Sequence, residues 1–99
     1  MRRAAKIDVN QPAIVEALRK AGATVQSLAA IGKGCPDLLI GYAGKTALIE
    51  VKDGDKSASA QKLRPMQQSW HENWQGGTLA TVNDVESALS VLTVMRKSL

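Results

Sequence analysis

Hydrophobic and polar positions along this chain change period several times, and each change marks an element. Ile14, Ala17, Leu18 and Ala21 recur at i, i+3, i+4 and i+7, the spacing of one buried helical stripe. The predicted helix runs from about Asn10 to Ala21. Asp8 or Asn10 is available to cap it, Pro12 suits its first turn and Gly22 ends it. Gln11 precedes Ile14 by three residues and Leu18 by seven, so it falls on the inward stripe. Glu16 lies about 200° round the helix from Ile14 and points outward. A strand is expected near Thr24 to Ala29, then a GKGCP loop, then strands over Asp37 to Tyr42 and Thr46 to Lys52. Gly44 in the intervening AGK step signals a hairpin. Pro65 opens a second helix that stops at Gly76-Gly77, with Met66, Trp70 and Trp74 as its expected buried face. Leu79 to Val82 is a short strand. Asn83 is expected to cap a last helix, with Asp84 and Glu86 in its first turn and Arg96 and Lys97 at its end. The order is α-β-β-β-α-β-α, an α/β chain with a mixed sheet flanked by helices.

Composition narrows the class. Ninety-nine residues, 44% of them hydrophobic, predict one globular domain over residues 1–99. There is no Phe, so the core must be largely aliphatic. A single cysteine, Cys35, excludes an internal disulfide and a cysteine-based zinc site. No apolar run approaches the roughly 20 residues that span a bilayer, and the charged start has no signal-peptide core. These features predict a soluble, cytoplasmic protein with no membrane partner. The net charge of +4 is modest. Arg2, Arg3 and Lys6 gather at the start, and Lys52, Lys56, Lys62 and Arg64 gather around the Ser-rich loop. Basic clusters of this kind suit nucleic acid phosphates as well as plain solvent.

The chemistry concentrates in GCPDLLIGYAGKTALIEVKDG, residues 34–54. If Ala43-Gly44 are the turn residues, Tyr42 pairs with Lys45 and Asp37 lies opposite Glu50. The sequence alone leaves that register open by a residue or two. Strand alternation puts Glu50 and Lys52 on one face and Ile49 and Val51 on the other. Two adjacent carboxylates repel unless a cation intervenes, and hard oxygen donors suit Mg²⁺ or Mn²⁺. A lysine on the same face would meet the same phosphate or water and stabilise charge on phosphorus. The implied chemistry is metal-assisted phosphodiester hydrolysis. An acid-x-Lys pair alone is usually a surface ion pair, and Asp after Pro is often only a turn residue. The combination of Pro36-Asp37, a twelve-residue gap and Glu50-Val51-Lys52 is far more specific.

These residues resemble the PD-(D/E)XK nuclease signature. The fuller pattern GKGCPDLLIG, LIEVKDG and LRPMQ is similar to the stand-alone VRR-NUC nucleases of phages and bacteria. The resemblance runs over nearly the whole chain. It implies a restriction-endonuclease-like αβββαβ core with an extra C-terminal helix. It further implies Asp37 and Glu50 as metal ligands with the Val51 carbonyl, Lys52 as the catalytic lysine and Gln67 as a supporting residue. Gln11 takes the place of a first-helix glutamate in related junction resolvases and would act through a metal-bound water. Arg64 stands where the family often has Thr, which weakens the helix cap and offers a cation to phosphate.

Lys33, Lys56, Lys62 and Arg64 are the candidate DNA phosphate contacts, which position a duplex without reading its sequence. His71 follows Gln67 by one helical turn and is a candidate base, although an exposed or cap-side histidine is the commoner case. Cys35 reads as a small loop residue. Gly32, Lys33 and Gly34 do not form a Walker phosphate loop. Trp70 and Trp74 could stack on bases, but core packing is the default. The expected function is a Mg²⁺/Mn²⁺-dependent endonuclease on branched, Holliday-junction-like DNA, acting as a homodimer as the resemblance implies. Exposed apolar residues such as Val91, Val94 and Met95 could build that dimer or the core. The alternatives are a monomeric flap or nick nuclease, and a non-catalytic DNA-binding module that keeps the fold.

Overall fold

The computed structural model describes residues 7–98, so the basic cluster of Arg2, Arg3 and Lys6 lies outside the described residues. The elements are α1 (Gln11–Lys20), β1 (Thr24–Ser27), β2 (Leu38–Tyr42), β3 (Lys45–Val51), α2 (Pro65–Asn73), β4 (Thr78–Val82) and α3 (Val85–Lys97). One mixed sheet runs in the order β1-β2-β3-β4. The first three strands are antiparallel, and β4 joins β3 in parallel. Among the described residues no helix is long and apolar enough to cross a membrane.

The β2–β3 turn sets the register of everything downstream. Ala43 and Gly44 both have positive φ, 54° and 75°, the pair of left-handed residues that a two-residue type I′ turn requires. Tyr42 therefore pairs with Lys45 and Leu38 with Ile49, and one further step puts Asp37 across from Glu50. The alternation then sorts the faces. Val25, Leu38, Ile40, Ala47, Ile49, Val51 and Val82 share one face and pack with Ile14 and Leu18 of α1 and Ala88, Val91, Leu92 and Met95 of α3. Ile14, Leu18, Leu38, Ile40, Ile49 and Val51 have no exposed surface; trimming one such side chain to Ala typically costs about 2–5 kcal/mol. Val91 and Met95 belong to this core, and only Val94 of that expected apolar set is exposed. Leu39, Leu48 and Glu50 point to the opposite face, where α2 lies.

Local chemistry moves several expected boundaries. Leu28 N–H still bonds the Asp37 carbonyl (2.7 Å), but β1 stops at Ser27, where Ala29 N–H turns back to Ser27 Oγ (3.3 Å). Ala21 lies past the last turn of α1 and is exposed, so the buried stripe is Gln11, Ile14 and Leu18. Asn10 occupies the cap position of α1 without capping it. Its amide instead donates to the Lys52 and Asn83 carbonyls, both at 3.0 Å, and ties α1 to the ends of β3 and β4. The cap of α3 is Asp84 rather than Asn83: the Asp84 carboxylate accepts from Ser87 N–H at 2.7 Å.

The largest departure is α2. It has no buried residue; Met66 is 62% exposed and Trp74 38%. The helix turns Gln67 and His71, not the Met-Trp-Trp stripe, toward the sheet. Gly34, at φ +84°, lets the loop reach its first turn: a Cβ there would come within 2.4 Å of the Met66 carbonyl oxygen. Polar bonds and one close backbone approach therefore seat this helix where apolar burial would ordinarily do so.

Because Ala43 is the one non-glycine of the turn and is left-handed, Ala43→Asn should stabilise the fold by about 0.5–1 kcal/mol. Urea unfolding checks this; a lower midpoint for the variant would contradict the turn geometry.

Candidate active site

Four elements bring polar side chains to the C-terminal end of β3. Asp37 comes from the loop end of β2 and is 7% exposed; Glu50 and Lys52, from β3 and just beyond it, are 2% and 8% exposed. Burial at this level is costly for charged groups unless they are partnered, and the partners are present. Asp37 Oδ2 accepts from Val51 N–H at 2.7 Å, which replaces the ladder bond that β2 no longer supplies past Leu38. A strand residue presents its N–H and carbonyl to the same side, so the Val51 carbonyl also faces the Asp37 side.

Gln67 is the hub. Its Oε1 accepts from Lys52 Nζ at 2.8 Å and from Arg64 N–H at 2.9 Å, while its Nε2 donates to Glu50 Oε2 at 3.2 Å. Arginine has no side-chain acceptor, so Gln67 alone caps α2, and the same amide that starts the helix orients the lysine and the glutamate. An amide can do both because it carries an acceptor and two donors.

The electrostatics follow from crowding. The Glu50 carboxyl is pushed up to about 9, first by burial, then by the adjacent Asp37 carboxyl. Lys52 opposes this shift and Asp8 adds to it. Burial and the Lys52 charge lower the pKa of His71, so its imidazole is biased toward the neutral form. Burial, then the charges of Glu50 and Asp37, raise the Cys35 thiol, which makes it a poor nucleophile.

Two residues gain a place that sequence reasoning withheld. His71 is not a solvated residue: its side chain is 14% exposed and Nε2 stands 4.0 Å from Glu50 Oε1. The signal was its i+4 spacing from Gln67. Asp8 borders the same cleft as Asp37, Glu50 and Lys52, and its Oδ1 lies 4.0 Å from Lys56 Nζ. Its sequence signal, an acid just ahead of α1, was absorbed by reading it as a helix cap. Gln11 is inward and 4% exposed, as its stripe requires. However, it lines a separate depression beside Pro12 and Ser27 rather than the cleft. Glu16 points outward and pairs with Lys20 at 3.1 Å.

The cleft itself is a depression of about 530 Å³. Lys33, Lys56, Lys62 and Arg64 all border it, together with Asp37, Glu50, Lys52 and Gln67. The loop that carries Lys56 and Lys62 is braced by Gln61, which donates to the Lys56 carbonyl (2.7 Å) and accepts from Asn83 (3.0 Å). Acidic groups thus form the floor and cations the rim.

A divalent cation fits this floor in part. Among the described residues no group of three His, Cys, Asp or Glu side chains is arranged to hold a metal ion by itself. Glu50 Oε1 is nevertheless buried without a hydrogen-bond partner, and the nearby donors are hard oxygens. Mg²⁺ typically takes one or two protein carboxylates and completes its shell with water and phosphate. Asp37, Glu50 and the Val51 carbonyl would supply that share. Compared with known proteins, the chain matches no family model, no curated protein and no solved structure.

The raised Glu50 carboxyl fixes the sign of a pH effect. Between its ordinary value of 4.5 and about 9, the folded state holds a proton that the unfolded state has released. Metal-free stability should therefore fall as pH rises through that window, by at most about 1.4 kcal/mol per unit. Glu50→Gln should flatten the fall. Thermal unfolding in EDTA from pH 5 to 9 checks this; equal slopes for the two proteins would contradict it.

Proposed function

We propose that the protein is a Mg²⁺/Mn²⁺-dependent endodeoxyribonuclease that hydrolyses phosphodiester bonds in branched, junction-like DNA. The observation that carries the reading is the buried Asp37–Glu50–Lys52 group, cross-braced by Gln67 and rimmed by four cations. A surface ion pair has no reason to be buried, and a purely electrostatic DNA-binding face has no reason to put paired carboxylates beside phosphate. The resemblance of Pro36-Asp37 and Glu50-Val51-Lys52 to the PD-(D/E)XK signature supports the same reading, as does a sheet with this strand order. A VRR-NUC-type nuclease fold and a homodimer are part of the proposal.

In this reading the rim cations hold the strand by its phosphates, and Lys52 points at the reacting one. Its ammonium is oriented by Gln67, so it is preorganised to stabilise negative charge growing on the phosphoryl oxygens. Asp37 and Glu50, with the Val51 carbonyl, would hold the cation, which when bound activates water and offsets phosphate charge. Water adds to phosphorus, one ester P–O bond breaks, and the leaving oxygen takes up a proton. The Gln67 amide, donating to Glu50 Oε2, keeps Glu50 from turning away. Asp8 adds negative charge at the cleft wall.

The test uses labelled four-way junction, flap and linear duplex with Mg²⁺, Mn²⁺ or EDTA. Metal-dependent cleavage of a branched substrate is expected. Lys52→Ala and Asp37→Ala should each lower the rate by at least about 100-fold while DNA binding survives and weakens with salt. Cleavage that persists in EDTA, or full activity in both variants, would overturn the reading. Sedimentation of the wild-type protein checks the dimer.

A further inference from the structure

The Met66-Trp70-Trp74 stripe, with Met66 and Trp74 exposed and Trp70 half-buried, lies outside the core. The two indoles stack on each other, with centroids 5.2 Å apart and planes 16° apart. Trp74 is locked by its Nε1–H, which donates to the Gly77 carbonyl at 2.9 Å. Together with Lys33, Ser69 and Asn73 they border a depression of about 390 Å³. Large aromatic side chains left in solvent forgo the burial that would stabilise them most, so their exposure calls for an occupant.

Two further observations say what kind. Lys33 and Met66 border both this depression and the acidic cleft, so the two are adjacent. Lys33 sits on the ridge between them in a run of three left-handed residues: Gly32 at φ 63°, Lys33 at 57° and Gly34 at 84°. The glycines accept this conformation freely, whereas at lysine it costs roughly 1–2 kcal/mol. Strain of this kind persists where the surrounding structure imposes it, here by the approach of Gly34 to the first turn of α2. The result is a lysine whose backbone is held between an aromatic wall and the acidic cleft. A negatively charged chain with a flat apolar unit on each link matches that order, and a purely apolar protein face does not.

We propose that an unpaired nucleobase of the substrate strand stacks on Trp70 and Trp74 while Lys33 holds the phosphate joining it to the cleft. The stripe thus selects DNA with a single-stranded segment next to the cleaved phosphate. This rests on the nuclease reading of the cleft, since it places the base relative to that site. Base stacking on aromatic side chains tolerates any sequence, so the selection is for unpaired structure rather than for a base. Met66 closes the near end of the wall.

The experiment is run in EDTA, where binding is read without cleavage. A hairpin duplex with a single-stranded thymidine extension is compared with the same hairpin made blunt. Trp70 and Trp74 are the protein's two tryptophans, so indole emission reports on the stripe directly. The extended hairpin should quench it saturably and the blunt one should leave it nearly unchanged. By anisotropy of labelled DNA, Trp70→Ala and, separately, Lys33→Gln should weaken the extended hairpin. Loss of stacking predicts a factor of about 5 to 160 for the tryptophan, with blunt binding changed by less than about twofold. Equal losses on both hairpins in Trp70→Ala, or binding of the extended hairpin with no change in wild-type emission, overturns the proposal. So does a wild-type dimer that Trp70→Ala converts to monomer, because the stripe then belongs to a second copy. The wild-type emission result decides even if a variant fails to fold. Metal-dependent cleavage without such discrimination would sink the stacking and spare the nuclease. Quenching without any cleavage in Mg²⁺ or Mn²⁺ would do the reverse.

Discussion

A carboxyl group that is 2% exposed and lies beside a second carboxylate is the constraint around which this molecule is arranged. Glu50 could be housed cheaply only as a neutral acid or against compensating charge. The neighbouring residues supply partial compensation and no more. Lys52 pulls its proton affinity down, Gln67 donates to one oxygen, and the other oxygen is left without a hydrogen-bond partner. A fold that only needed stability would put an apolar residue at that position, because the core on the opposite face of β3 is already complete. The incomplete compensation is the physical argument behind the proposed cation and anionic substrate.

The rest of the structure can be read as support for that one group. The Ala43-Gly44 turn sets the register that faces Asp37 toward Glu50. Loss of β2 pairing beyond Leu38 frees Val51 N–H to hold Asp37. Asn10 clamps α1 to the carbonyls that follow β3 and β4. The second helix is seated by Gln67 and by the Gly34 approach rather than by apolar burial. That arrangement leaves Met66 and Trp74 of its apolar stripe exposed.

Much of this was legible in the chain. Strand alternation is a local rule, so the order of elements and the shared face of Glu50 and Lys52 followed from counting, whereas the hairpin register stayed open by a residue or two until the Ala43-Gly44 turn geometry settled it. What was not legible depends on tertiary partners. Residues 66, 70 and 74 and residues 67 and 71 have the same four-residue spacing, one position apart. Periodicity cannot tell which stripe faces the sheet when the sheet end is polar. Asp84 outcompeted Asn83 as a cap because its carboxylate, one residue closer, reaches Ser87 N–H. Gln11 lies inward as its stripe demands, yet inward on α1 led to a different depression. Asp8, outside every periodic element, had no pattern to announce it. The α/β class with a mixed sheet and flanking helices follows from these elements, whereas the nuclease fold and activity remain the proposal built on the site.

The central claim is that the Glu50 proton stands in the place of a metal ion. Metal ligands must be deprotonated, so binding at such a site releases protons. Calorimetric titration of Mn²⁺ at pH 7.5, repeated in buffers of different ionisation enthalpy, counts them. The account predicts saturable binding with close to one proton released per ion, because a carboxyl raised to about 9 is still largely protonated there. In Glu50→Gln, binding should weaken and the release should vanish. Tight Mn²⁺ binding with no proton released, or the same release from the Glu50→Gln protein, would contradict it.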